Sequence, residues 1–307
     1  MREERSSPVD PASDVQRARD GRTSAGGVRR VLGPILGNKL ALAGTIMSIV
    51  VVVAAVGADL IAPHDPVAQN IANGLAPPSW QHPFGTDRFG RDVLSRTIHG
   101  SRVSLLVAFT SVSIATTVGT ALGMIATVLG GWKDNVIGRL VDILFAFPAM
   151  VLAIGVAALL GPSLRNAMLA ISIVYAPVFF RVARGAALGE LNKDYVHAAR
   201  ALGTSTLRIV RVHVLPNTIS PILVQASVTM ALAILIESYL SYLGLGTQPP
   251  YPSWGTMLNE GRSFLEVAPW MSIFPGAAIM MSVVAFNLLG DGIRDVLDPR
   301  ATTMRRN

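Results

Sequence analysis

Few residues of this chain have the types and spacing that chemistry needs, and most reaction classes are missing altogether. There is no cysteine, so no disulfide framework, thiolate metal site or cysteine nucleophile is available. The five histidines are scattered, without HExxH or a similar ligand spacing. No GxxxxGK[ST] phosphate loop, nucleophile elbow or close carboxylate pair in an aqueous setting occurs. The expectation is a non-catalytic chain with no metal and no cofactor of its own. Two features remain. Glu237 sits inside an apolar run about six residues before Leu243, roughly 9 Å of helix rise below its end, where a lipid-facing ionised carboxylate is costly. It must face protein or water, as a pathway or gating residue or as a partner for a neighbouring helix or another chain. Asp59 lies nearer a boundary and is more easily hydrated.

The second feature is HAARALGTSTLRIVRVHVLPN, from His197 to Asn217, a basic stretch between two apolar runs. Its pattern predicts two short helices. Tyr195 to Leu202 is rich in Ala and Leu, Gly203 can end that helix, and Thr204 or Ser205 can cap the next. The second is expected to be brief because Pro216 resists continuation. Leu207, Val210 and Val214 fall along one seam, with Arg208 and Arg211 three apart on a flank. A solvated loop and a shaped cationic surface offered to a partner are both open readings.

The elements that must position these residues are membrane spans. Of 307 residues 51% are hydrophobic and 15% charged, with mean hydropathy +0.48, which points to a polytopic membrane protein. Residues 1–38 are polar and read as a disordered cytoplasmic tail. Six apolar runs follow, roughly Leu40–Ile61, Val103–Leu129, Val141–Leu160, Ala167–Val182, Ile219–Leu243 and Trp270–Leu289. Thr110, Ser113, Thr117 and Thr120 share a face of the second, and Gly119 with Gly123 form a step for close helix approach. Pro148, Pro177, Pro221 and Pro275 begin or interrupt four runs.

Six spans put both termini on one side. With the termini inside, 20 of the 26 Lys and Arg residues fall inside, which orients the chain with cytoplasmic termini and a cytoplasmic His197–Asn217 segment. The formal net charge of +7 therefore reads as membrane orientation. No basic groove with interleaved aromatics accompanies it, so nucleic acid is not an expected partner.

DYVHAARALG followed by RIVRVHVLPN resembles the cytoplasmic loop signature of ABC importer permeases, with Ala198, Ala199, Gly203, Leu215 and Pro216 in register. His197 stands where that family usually has an acidic residue, and His213 where it has Ile. HPFGTDRFGRDVLSRTIHGSRVSL, ESYLSYLGLG, PSWGTML and AFNLLGDGIRDVLDPR are similar to the dipeptide, oligopeptide and nickel permease branch, and together to its C-type subunit. The resemblance implies an all-α integral membrane protein with six transmembrane helices and the type I ABC importer fold. Its domain would span residues 39–301, with an outer loop near 62–102, a coupling loop near 185–217 and a tail at 302–307. It also implies a bacterial inner-membrane location, a second permease, two ATP-binding subunits or one fused ATPase carrying ATP and Mg, and an external substrate-binding protein. His197, Ala198, Ala199, Gly203, Leu207, Arg208, Arg211, Leu215 and Pro216 would then couple to the ATPase. Gly85, Thr86, Asp87, Gly90, Arg91 and Asp92 would shape contacts with the binding protein or second permease, or serve as tight turns and local ion pairs. Trp254 is expected at the membrane interface, and Asp291, Arg294 and Asp295 as a cytoplasmic cap. Peptides are the expected substrate, with nickel chelates or other small solutes as the alternative, and a proton-coupled secondary transporter using Glu237 as a third reading.

Overall fold

The structure is a computed structural model that describes residues 39–297. The expected tails at 1–38 and 302–307 lie outside that range. Among the described residues, every extended element is a helix. Helix α1 covers Lys39–Val56 and a short α2 covers Ala58–Ile61. After an irregular segment come α3 (Val93–Leu129), α4 (Gly131–Phe145), α5 (Ala149–Leu160) and α6 (Leu164–Leu191). Then follow α7 (Asp194–Ala201), α8 (Thr206–Ile209), α9 (Leu215–Tyr242), α10 (Trp254–Gly261) and α11 (Trp270–Leu297).

Among the described residues, five helices are long and apolar enough to cross a membrane: α1, α3, α6, the continuous Thr206–Tyr242 rod, and α11. The third apolar run differs from expectation. It does not form one straight span from Val141 to Leu160. Instead α4 and α5 meet at 90° across a short break, so the described residues hold six spans when this bent pair counts as one. The break falls at Pro148, which lacks an N–H donor and biases Phe147 away from helical geometry. Helix α4 is also polar, and two ion pairs fasten it to α6. Arg184 grips Asp134 with both contacts at 2.6 Å, and Arg181 reaches Asp142 at 2.7 Å.

Pro177, Pro221 and Pro275 are carried inside their helices. Helix α3 begins ten residues before the expected Val103. Asp92 caps it, its Oδ2 accepting from the Ser95 amide at 2.7 Å, so polar residues extend the helix beyond its apolar stretch. Two of the rods contain 37 residues each, about 55 Å of helix against a hydrocarbon core of about 30 Å. They must therefore project from the bilayer.

The core is built where small residues let backbones meet. A Cβ placed on Gly119 would lie 2.3 Å from the Ala176 carbonyl oxygen, and one on Gly123 would lie 2.7 Å from that of Phe180. The anticipated glycine step is the seam between α3 and α6. Val107, Ala108 and Ala115 of α3 are buried with Ala170, Ile171 and Phe179 of α6 and Ile234 and Leu240 of α9. Large apolar side chains remain exposed around the outside, including Ile46, Val53, Phe109 and Leu159. That surface fits a helix bundle whose backbone bonds are internal and whose solvent is lipid.

Candidate functional site: the α7 to α9 surface and the turn before α3

The His197–Asn217 segment folds into a rigid bracket between two spans. Helix α7 ends in a Schellman motif. Gly203 at φ +79° donates its N–H to the Arg200 carbonyl at 2.9 Å, and the Thr204 N–H reaches Ala199 at 3.0 Å. Ser205 occupies the next N-cap position, although its side chain makes no capping bond. The anticipated stop at Pro216 is not found. Helix α8 passes through a π-helical turn, Val210–Val214, straight into α9, and Pro216 sits in the first turn of α9. The wider turn lies just where an α-helical path would require the proline to donate, so the rod continues.

This continuity changes which side chains are displayed. Val196, Ile209 and Val214 are buried and anchor the bracket to the core. Leu207, expected on the seam with Val214, is 61% exposed; the anchoring position is Ile209. His197, Ala198, Gly203, Arg208, Arg211, Leu215 and Pro216 are also exposed, while Ala199 is half-buried against the core. Leu202 and Val212 add to an apolar and cationic outer surface.

One buried carboxylate binds the bracket together, and sequence inspection missed it. Glu190 near the end of α6 accepts from Tyr195 of α7, from Asn217 Nδ2 of α9 at 2.8 Å, and from Lys193 Nζ at 2.6 Å. Hydrogen bonding to Glu190 holds both the Lys193 ammonium and the Tyr195 phenol above their ordinary pKa values. The one available signal was an acid at the end of an apolar run with a lysine three residues on.

At the opposite end, Gly85–Asp92 forms a closed turn rather than a displayed loop. All six residues singled out there are buried. Asp87 Oδ1 accepts from the amides of Phe89 and Arg91 at 2.8 and 3.0 Å, and its Oδ2 meets Arg91 Nε at 2.5 Å. Thr86 accepts from Trp270 through its carbonyl at 3.0 Å. Gly90 at φ +73° passes so close to Asn70 that a Cβ would lie 1.8 Å from its carbonyl oxygen. Glu260 of α10 completes the cluster, accepting from Arg91 at 2.7 Å and Arg96 at 3.1 Å. The reading of tight turns and local ion pairs describes this geometry, with Arg88 left exposed on the turn.

Glu237 is 1% exposed and lies inside the protein. Ser241 Oγ donates to it at 2.7 Å. Trp254 is buried within the protein, with Nε1 donating to the Thr97 carbonyl at 2.9 Å. Asp59 is largely exposed beside Arg102 and His99, and the hydrogen bonds from Arg102 hold its carboxyl below the usual range. Asp291, Arg294 and Asp295 lie on the last turns of α11. Ser113 and Thr117 of the α3 polar stripe are exposed, and Thr110 and Thr120 half-buried.

The arrangement supplies no reacting constellation but does supply a stiff connection between an exposed surface and two spans. Residues 119–303 match the family model described as the binding-protein-dependent transport system inner membrane component. The chain belongs to this permease family. Residues 29–78 of the permease match the N-terminal TM domain of oligopeptide transport permease C. It is 45% identical over 263 residues to the dipeptide transport system permease protein DppC of Alkalihalophilus pseudofirmus, covering 86% of each chain. It is 45% identical over 269 residues to the di/tripeptide transport system permease protein DppC of Pseudomonas aeruginosa, covering 86% of the permease and 89% of that protein. A chain of the inward-facing MetNI methionine ABC transporter shares the fold, with TM-score 0.55 and 18% identity over 67% of the permease and 97% of that chain.

Proposed function

We propose that the permease forms, with a second permease subunit, the translocation pathway for dipeptides or oligopeptides in an ATP-driven importer. An extracytoplasmic binding protein delivers the substrate, and two ATP-binding subunits or one fused ATPase hold ATP and Mg. This chain itself performs no catalysis. Both termini face the cytoplasm of a bacterial inner membrane, in keeping with the distribution of Lys and Arg.

The observation that carries this reading is the bracket. An exposed apolar and cationic surface is mounted on a 37-residue rod that continues through the membrane without a flexible joint. Displacement applied at α7 and α8 reaches α6 and α9 together, because packed helices move as units. His197, Ala198, Leu207, Arg208, Arg211 and Leu215 meet the ATPase, while Ala199, Gly203 and Pro216 hold the shape. Peptide import is supported by the two relatives at 45% identity, whose names specify dipeptides and di/tripeptides.

The test is purification of the intact complex from its membrane, with its subunits identified and dipeptide-driven ATPase activity and uptake measured in proteoliposomes. Copurified ATPase and peptide-stimulated hydrolysis are expected. Uptake that needs no ATPase and disappears in Glu237→Gln would instead establish a proton-coupled transporter.

A further inference from the structure

Histidines that look scattered in sequence converge on one carboxylate. His64, His82 and Asp92 come from three separate segments, and each offers a ligand atom within 4.8 Å of the others. His82 Nδ1 lies 2.9 Å from Asp92 Oδ1, and His64 Nδ1 lies 3.8 Å from Asp92 Oδ2. The two rings are 4.8 Å apart between centroids and tilted by 35°. Both turn the same ring nitrogen toward the carboxylate.

A shared proton accounts for the contact between His82 and Asp92. It does not account for His64, whose ring is too distant for a hydrogen bond yet is aimed at the same group. Two imidazole nitrogens and one carboxylate oxygen are ligands that a borderline divalent transition metal accepts together. Atoms 2.9 Å apart, as in His82 and Asp92, can both reach one ion at about 2.0–2.1 Å. The surroundings are also those of a built site. Asp92 is 2% exposed, and its other oxygen is engaged by the Ser95 amide, which fixes the carboxylate's orientation. Ser95 Oγ in turn accepts from the His64 backbone N–H at 3.0 Å, tethering that main chain. The His64 side chain remains 43% exposed and free to swing inward. Its ring also lines a cleft of 660 Å³.

We propose that His64, His82 and Asp92 form a site for a divalent transition metal, with zinc the occupant best suited to the ligand types and a fourth position left to water. The ion would clamp the segment around His64 and the turn ending at His82 onto the first turn of α3. Occupancy would therefore stiffen the outer end of the permease. This site is independent of the coupling surface and of the transported substrate.

The test uses the permease purified from its host membrane with its copurifying partners, through a tag without histidine, after removal of metal with a chelator. Equilibrium dialysis against Zn²⁺ should give one more bound ion per copy of this chain in wild type than in His64→Gln or His82→Gln. Any residual binding at the site should be at least about tenfold weaker. His64→Gln is the cleaner variant, since its ring makes no hydrogen bond in the structure. His64→Cys should restore the lost ion, because cysteine is a zinc ligand and the chain has no other. Zn²⁺ should also slow hydrogen exchange around residues 62–82 in wild type and in His64→Cys, and not in the Gln variants. Equal zinc stoichiometry and affinity in wild type and both Gln variants, at unchanged subunit composition, would overturn the proposal.

Discussion

Asn217 Nδ2 donates to Glu190 Oε1 across 2.8 Å, joining the last turn of α6 directly to the first turn of α9. Tyr195 donates to the same oxygen, so the exposed helix α7 is fastened to both spans at one point. A bracket held in this way transmits displacement because its ends cannot separate.

Removing that point should loosen the bracket without unfolding the bundle. Glu190→Ala leaves Tyr195 and Asn217 without their shared acceptor; both are exposed and can turn to water, so the loss is the net worth of a hydrogen bond, about 0.5–1.5 kcal/mol for each. Hydrogen exchange in α7 should quicken while α3 and the bulk of α6 stay protected. In the assembled complex, ATP hydrolysis should persist but become less dependent on substrate. Glu190→Gln, which keeps one acceptor oxygen, should lie between wild type and Ala. Unchanged α7 exchange in both variants would show that the contact does not hold the bracket.

Gly203 tests backbone geometry alone. A Cβ there would meet nothing within 4 Å, so any cost comes from φ +79° and not from a clash. Gly203→Val should strain the turn by about 1–2 kcal/mol and misplace the α7 surface. Gly203→Asn should be tolerated, since Asn enters the left-handed region readily. Membrane insertion should be normal in both, and ATPase copurification should fall only in Val. Equal loss in both would point to a contact at this position, not to its conformation.

At the α3–α6 seam the same substitution logic runs through space. Gly119→Val should separate two helices in backbone contact and lower the yield of folded permease in detergent. Gly185→Ala, at a position where a Cβ would meet nothing within 4 Å, should leave that yield unchanged. Folded yield by size-exclusion chromatography decides between them. A Gly119→Val protein as monodisperse as wild type would contradict the packing described.

The orientation can be read with single cysteines, because the chain has none of its own. Trp80 is fully exposed in the segment before α3, and Asn192 is exposed between α6 and α7. An impermeant thiol reagent applied to intact cells should label Trp80→Cys at once. It should label Asn192→Cys only after the membrane is opened. Immediate labelling of both would reject cytoplasmic termini.

The membrane class, the long apolar helices, the glycine step and the left-handed end of α7 were legible in the sequence. Each depends on local composition, on a short spacing or on a single residue's backbone preference, and these survive folding. The interruption at Pro148 was legible too, but the 90° angle between α4 and α5 and the passage of α8 into α9 were not. Pro148 ends a helix where α4 is ion-paired to α6, whereas Pro216 is absorbed by a neighbouring π-helical turn, and the residue type is the same in both. The buried groups were hidden for a related reason. Glu190 meets Asn217, Arg91 meets Glu260, and His64 meets His82 and Asp92 only because separate segments are packed side by side. Pairing of polar groups depends on distance in space, and tertiary structure alone sets that distance.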